Sequence, residues 1–148
     1  MRRSDWFMKT ILLAAATILA APAAMACPDG ALQEAASLMV SIGQHGEGVD
    51  PAEATASINE KTTACPANPH VLKVAALARA TLADMIEEKP IRLQLRQAAL
   101  ADFDRAVTLA GTNTEALPVM INGQKMSVDF DDNTELRAAL IAALEEEG

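Results

Sequence analysis

Residues 70–90, HVLKVAALARATLADMIEEKP, followed by residues 91–111, IRLQLRQAALADFDRAVTLAG, decide the fold. In the first half, Val71, Val74, Ala75, Ala78, Leu82, Met85 and Ile86 recur at helical spacing, and Leu72, Ala76, Ala80 and Ala83 widen the apolar face. A face that wide touches neighbours on two sides. Glu87-Glu88-Lys89-Pro90 interrupts it, because proline lacks the amide donor and disfavours helix in the residue before it. In the second half Leu95, Ala99, Phe103, Ala106 and Ala110 fall on one line, with Leu93, Leu100 and Val107 beside them. Arg92, Arg96, Asp102, Asp104 and Arg105 are predicted to keep the other side in water. Alanine is the strongest helix former, and its small side chain lets helices pack closely.

Working outward, Asn68-Pro69 and Asp50-Pro51 each place a capping side chain before a first-turn proline, so a helix starts at both. The helix after Asp50 has a thin apolar face, carried by Ala54, Ala56, Ile58 and the Thr62 methyl, and stops at Cys65-Pro66. Upstream, Leu32, Ala35, Ala36, Met39, Val40 and Ile42 mark a helix to about Gly43, where glycines 43, 46 and 48 are predicted to end it. Downstream, residues 118–121 and 124–128 flank Asn122-Gly123, the pair favoured in a type I′ hairpin turn. Asp132, with Glu135 as a capping-box partner, starts a last helix striped by Leu136, Leu140, Ile141 and Leu144. Glu145 to Glu147 stand at the negative end of its dipole, where fraying is predicted. The fold class is therefore mainly α: stacked antiparallel helical hairpins, 31–66 and 69–111, capped by a short β-hairpin and a final helix over 118–147. Together they make a single domain, 27–148.

Ahead of that domain, Arg2, Arg3 and Lys9 precede an apolar run from Ile11 to Ala21, and Ala24-Met25-Ala26 supplies small residues for cleavage. This is the pattern of a signal peptide over 1–26, and it implies a periplasmic or otherwise exported protein starting at Cys27. The run is short of the roughly 20 residues that a membrane span needs. The 148-residue chain carries a net charge of −8, and loss of the leader makes it more acidic. Such a field repels phosphates, which makes nucleic acid and anionic headgroups poor partners and leaves a basic partner or a cation compatible, beside the plainer reading of a solvated acidic surface. The cysteines are two, Cys27 and Cys65, and export places them where disulfides persist. A bridge between them closes a loop worth roughly 4 kcal/mol of stability by chain entropy. The rival is lipidation of Cys27, the one route to a membrane, although Ala24 stands where a lipobox has leucine.

Ala99, Phe103 and Ala106 followed by Gly111 resemble the second helix of a tetratricopeptide repeat. In the first pair Gly43, Ala54, Ile58 and Pro66 fall near that repeat's small, small, apolar and proline positions. The next unit would begin near Pro69, with Leu72, Ala75 and Ala76 in its large, large and small places. The resemblance covers 31–111 and departs where Ala76 to Ala99 exceeds the repeat length, where Lys61 replaces alanine, and where Gly111 replaces proline. It implies a protein or peptide partner bound along a face built from the first helices of each pair. Two units fall short of the three or so that such arrays need, so self-association is open. More locally, Leu117-Pro118 through Gly123 and the terminal helix resemble the end of thioredoxin-like oxidoreductases. That likeness implies a cis proline and a Cys-x-x-Cys, and the latter is absent here.

Other chemistries read as structure. Asp129, Asp131 and Asn133 match the first ligands of a calcium loop, but Thr134 and Leu140 stand where glycine and glutamate are required. The glycines between Gly43 and Gly48 lack the Lys-Ser/Thr of a phosphate loop. His45 and His70 have no catalytic companion at a recognisable spacing, and with Cys27 and Cys65 they show no zinc-ligand pairing. Met39, Met85, Met120 and Met126 read as core filler. No catalytic residue, cofactor or metal ligand is assigned. The expectation is a non-enzymatic exported interaction or adaptor module, with a degenerate thioredoxin-like thiol-redox protein of the envelope as the alternative. Intact mass tests the cysteine assignment: the mature protein should be lighter by a pair of hydrogens before reduction than after, whereas an acyl mass on Cys27 would overturn it.

Overall fold

Asn68 accepts a hydrogen bond from the Val71 amide at 3.1 Å, and with Pro69 in the first turn it launches the central helix α3, Pro69–Asp84. The computed structural model describes residues 27–112 and 115–147, so the leader read over 1–26 lies outside the described residues. Around α3 stand α1, Ala31–His45, α2, Pro51–Ala64, α4, Lys89–Ala110, and α5, Asn133–Glu147. The strands β1, Leu117–Ile121, and β2, Gln124–Val128, form one antiparallel hairpin. The fold is mainly helical with a C-terminal β-hairpin and a final helix, as the residue pattern predicts.

Several boundaries differ for local reasons. Helix α1 runs through Gly43 to His45 and ends at Gly46, whose positive φ of 57° is a backbone conformation that glycine adopts readily. Gly43 faces the Thr81 side chain instead. The break before α4 precedes Pro90: α3 has already ended at Asp84, and Pro90 sits in the first turn of α4, where its missing donor costs nothing. Ala56 is exposed, so Ala54 and Ile58 alone carry α2's inward face. At the hairpin turn Asn122 and Gly123 both have positive φ, 52° and 78°, as a type I′ turn requires.

The core surrounds α3. Ala75, Ala78 and Leu82 pack with Ile42, Ile58 and Leu95. Ala76 meets Ala99, Phe103 and Leu140, and Val71 and Val74 meet Ala35, Ala36, Val119 and Val128. Cys27 and Cys65 are bonded at 2.06 Å with Cα atoms 4.8 Å apart, which leaves no thiol for an acyl chain. The bridge ties the segment ahead of α1 to the end of α2, and Cys65 is buried beside Val71.

Part of the charged side of α4, at Arg92, Arg96 and Asp102, is an interface and not the wet face expected for it, whereas Arg105 is exposed and Asp104 pairs with Arg137 at the surface, as expected. Arg79, buried on α3, donates to Asp102 on α4 at 2.8 Å and to Asn59 on α2 at 2.9 Å. One guanidinium thereby joins these helices. Arg92 holds the Glu147 carboxylate with paired hydrogen bonds of 2.6 and 2.9 Å, and Arg96 reaches the same group at 2.5 Å. The predicted fraying of α5 is thus overturned at its end: the Glu147 side chain is only 7% exposed, because the arginines of α4 supply the cations that the helix dipole calls for.

Those hydrogen bonds from Arg92, then the charges of Arg92, Arg96 and Lys89, hold the Glu147 carboxyl below the usual glutamate range. A carboxyl with a depressed folded value contributes stability that is complete above its unfolded value and lost as pH falls through the folded one. Amide shifts of the last turn of α5 should therefore move only as pH is lowered below the ordinary glutamate range, and Glu147→Gln should abolish that transition. An unchanged transition in the variant would contradict the clasp.

Candidate functional site

Ala36 and Met39 on α1, and Val74 and Leu77 on α3, face the surface expected to take a partner. The chain's own hairpin lies across it. Val119 and Val128 pack into the cluster of Ala31, Ala35, Ala36 and Val74, with Ile121 beside them. What remains open is a cavity of about 210 Å³ between the hairpin and the first helices, rimmed by Met126 and floored by Met39, Val74 and Leu77. Met120 and Met126 are each 50% exposed, which corrects their reading as core filler, whereas Met39 and Met85 do pack against the core. Periodicity on a five-residue strand separates two faces but cannot say how much of each is covered.

Two clamps fix the hairpin. On one side, Gln33 on α1 donates to the Met120 carbonyl at 2.9 Å and accepts from the Met120 amide at 2.7 Å. Its side-chain amide thus acts as a short piece of added strand. Gln44 donates to Asn122 Oδ1 at 3.1 Å and steadies the turn. On the other side, Lys73 of α3, 4% exposed, donates to the Asp129 carbonyl and pairs with the Asp132 carboxylate at 2.6 Å. Its ammonium also lies 5.3 Å from the centre of the Phe130 ring, within cation–π range.

Each sequence-derived candidate has a place. His70 is buried, donates from Nε2 to the Glu115 carbonyl at 2.8 Å and meets the Phe130 ring edge-on at 5.1 Å. His45 is exposed at the end of α1, far in sequence and role from His70. The Asp129–Asn133 segment is an Asx-type turn in which Asp129 Oδ1 accepts the Asp131 amide at 3.0 Å. Asp132 accepts the Leu136 amide through its carbonyl at 3.0 Å, while its carboxylate turns to Lys73 and not to the first amides of α5, contrary to the capping box. Of the oxygens at the calcium-like positions, Asp129 Oδ1 is thereby taken by main chain, whereas Asn133 Oδ1 is buried without a hydrogen-bond partner. Among the described residues there is no group of three or more His, Cys, Asp and Glu placed to hold a metal.

The clamps were not legible locally. Lys73 and Asp132 lie far apart in sequence, and the signal for Gln33 is only a polar residue beside an apolar stripe. The cysteine pair was legible, from number and the expected export. The Leu117–Pro118 bond is trans, so the cis proline of the thioredoxin-like resemblance is not present, and the cysteines are joined to each other between the segment ahead of α1 and the end of α2.

The chain matches no protein-family model, and no curated protein or solved structure matches it. Removing the half-exposed Asp132 carboxylate leaves the buried Lys73 ammonium with only the Asp129 carbonyl, so Asp132→Ala should cost about 1–2 kcal/mol in urea denaturation. Lys73→Met, which keeps an apolar stem against Phe130, should cost clearly less. A neutral Asp132→Ala would mean that the ion pair does not hold the linker.

Proposed function

We propose that this chain is an exported, non-enzymatic interaction module that binds a protein or peptide partner over the groove between the hairpin and helices α1 and α3. The observation that carries the reading is the pairing of an unfilled apolar cavity with a half-exposed methionine at its rim. Flexible, polarisable methionines suit binding surfaces that must fit more than one side chain. The acidic surface, with a net charge of −8, favours a basic partner and disfavours nucleic acid. Export follows from the leader pattern of the first 26 residues and agrees with the use of both cysteines in a bridge. The resemblance of residues 31–111 to tetratricopeptide repeats supports the same class of role, with one difference of place: the hairpin now forms part of the surface that the first helices would otherwise present alone.

A photoreactive amino acid substituted at Met126 tests this in the native cell envelope. A discrete adduct from that position, absent when the same group replaces exposed Glu60 on α2, is the expected result. Recovery of uncrosslinked protein alone, across several growth conditions, would contradict it.

A further inference from the structure

The two edges of the hairpin differ. Ile121 pairs with Gln124 across the Asn122-Gly123 turn. Hydrogen-bonded and non-hydrogen-bonded pairs alternate along an antiparallel ladder. Val119 with Met126 and Leu117 with Val128 therefore exchange the internal bonds, and Pro118, Met120, Lys125 and Ser127 aim their main-chain groups outward. Observation agrees on β1: the Met120 amide and carbonyl both meet Gln33, and Pro118 has no amide to offer. That edge is closed at both outward positions, by devices that proteins use to keep strands from pairing.

The β2 edge has no such closure. Among the described residues no hydrogen bond outside the ladder reaches the main chain of Lys125 or Ser127, and residues 124–127 are exposed. Directly beneath this open side lies the cavity rimmed by Met126, with Leu77 and Val74 behind it. Its volume of about 210 Å³ is below the roughly 300 Å³ at which small-molecule pockets begin, and it suits a single apolar side chain.

We propose that β2 takes up an extended basic peptide segment as a third strand, bonded to the outward groups of Lys125 and Ser127, with one apolar side chain seated in the cavity. The inference rests on the interaction-module reading and gives it a mode and a ligand class. Charge selects the occupant. Asp129 and Asp131 follow the strand directly, and Lys73 already neutralises Asp132. A basic segment meets those carboxylates favourably. A second copy of this chain, with net charge −8, brings like charge to the same edge.

The test measures anisotropy of a short fluorescent peptide of alternating lysine and valine with a central leucine, added to the mature disulfide-bonded protein. Binding should be salt-sensitive and lost when glutamate replaces lysine. Ser127→Pro removes an outward amide and leaves the internal ladder intact, since proline is tolerated at such an edge position; it should weaken binding about tenfold. Ser127→Ala should bind as the natural chain does. If Ser127→Pro does not fold, the same peptide N-methylated on alternate amides carries the test from the other side, with an equal loss expected in one of its two registers. Equal binding of methylated and unmethylated peptides in both registers, equal binding of the glutamate peptide, or a dimer abolished by Ser127→Pro would overturn the proposal. A Met126 crosslink that persists in Ser127→Pro would overturn strand addition and leave the interaction module standing, whereas loss of all crosslinking in the natural chain removes both.

Discussion

Burial of α3 on nearly every side is the constraint on which the other elements depend. A helix so enclosed can place a charged group only where a neighbour answers it, because an unpaired ion in a low-dielectric interior is too costly to keep. Each polar residue of α3 that is buried is answered by a different part of the chain. His70 meets the carbonyl of Glu115 ahead of the hairpin, Lys73 meets the linker between β2 and α5, and Arg79 meets both α2 and α4. Apolar packing makes α3 central, and these three contacts fix the positions of its neighbours. They specify arrangement more than they add stability, since such pairs lose much of their attraction to desolvation.

The same logic explains how few aromatic residues suffice. Alanines at 75, 76, 78, 83, 99 and 106 bring helix backbones close, and Phe103 fills the largest gap without any exposed surface. Close helices leave little tolerance for error in register, so the ends need anchoring. The disulfide holds one end, and the clasp of Arg92 and Arg96 on Glu147 holds the other. Between these anchors the hairpin is fixed along β1 by Gln33 and left open along β2. That asymmetry is where structure meets the proposed role: one strand is committed to the fold and the other retains unused main-chain groups beside an apolar cavity.

Much of the fold could be read from residues whose message is local. Asn68-Pro69 and Asp50-Pro51 announce helix starts, Asn122-Gly123 announces its turn, and both caps are seen with the expected side-chain bonds. Features that depend on distant partners were not legible. Arg92 and Arg96 read as a solvated face because periodicity does not reveal that α5 will return its last turn to them. Asp132 reads as a cap because nothing nearby foretells Lys73. Met120 and Met126 read as core because hydrophobicity alone does not say that a two-stranded ribbon has one partly covered and one largely exposed strand. The candidate groove therefore emerged only from the fold, although the first helices that floor it were anticipated.

Native-state hydrogen exchange bears most directly on the central claim, that α3 organises the molecule and holds a hairpin with one closed and one open edge. Amides in the middle of α3 should exchange only through global unfolding, more slowly than those of α1, α2 or α5. The Met120 amide should be protected by Gln33, while those of Lys125 and Ser127 exchange near the free-chain rate. Exchange of α3 through local opening, or protection of Lys125 and Ser127 equal to that of Met120, would contradict it.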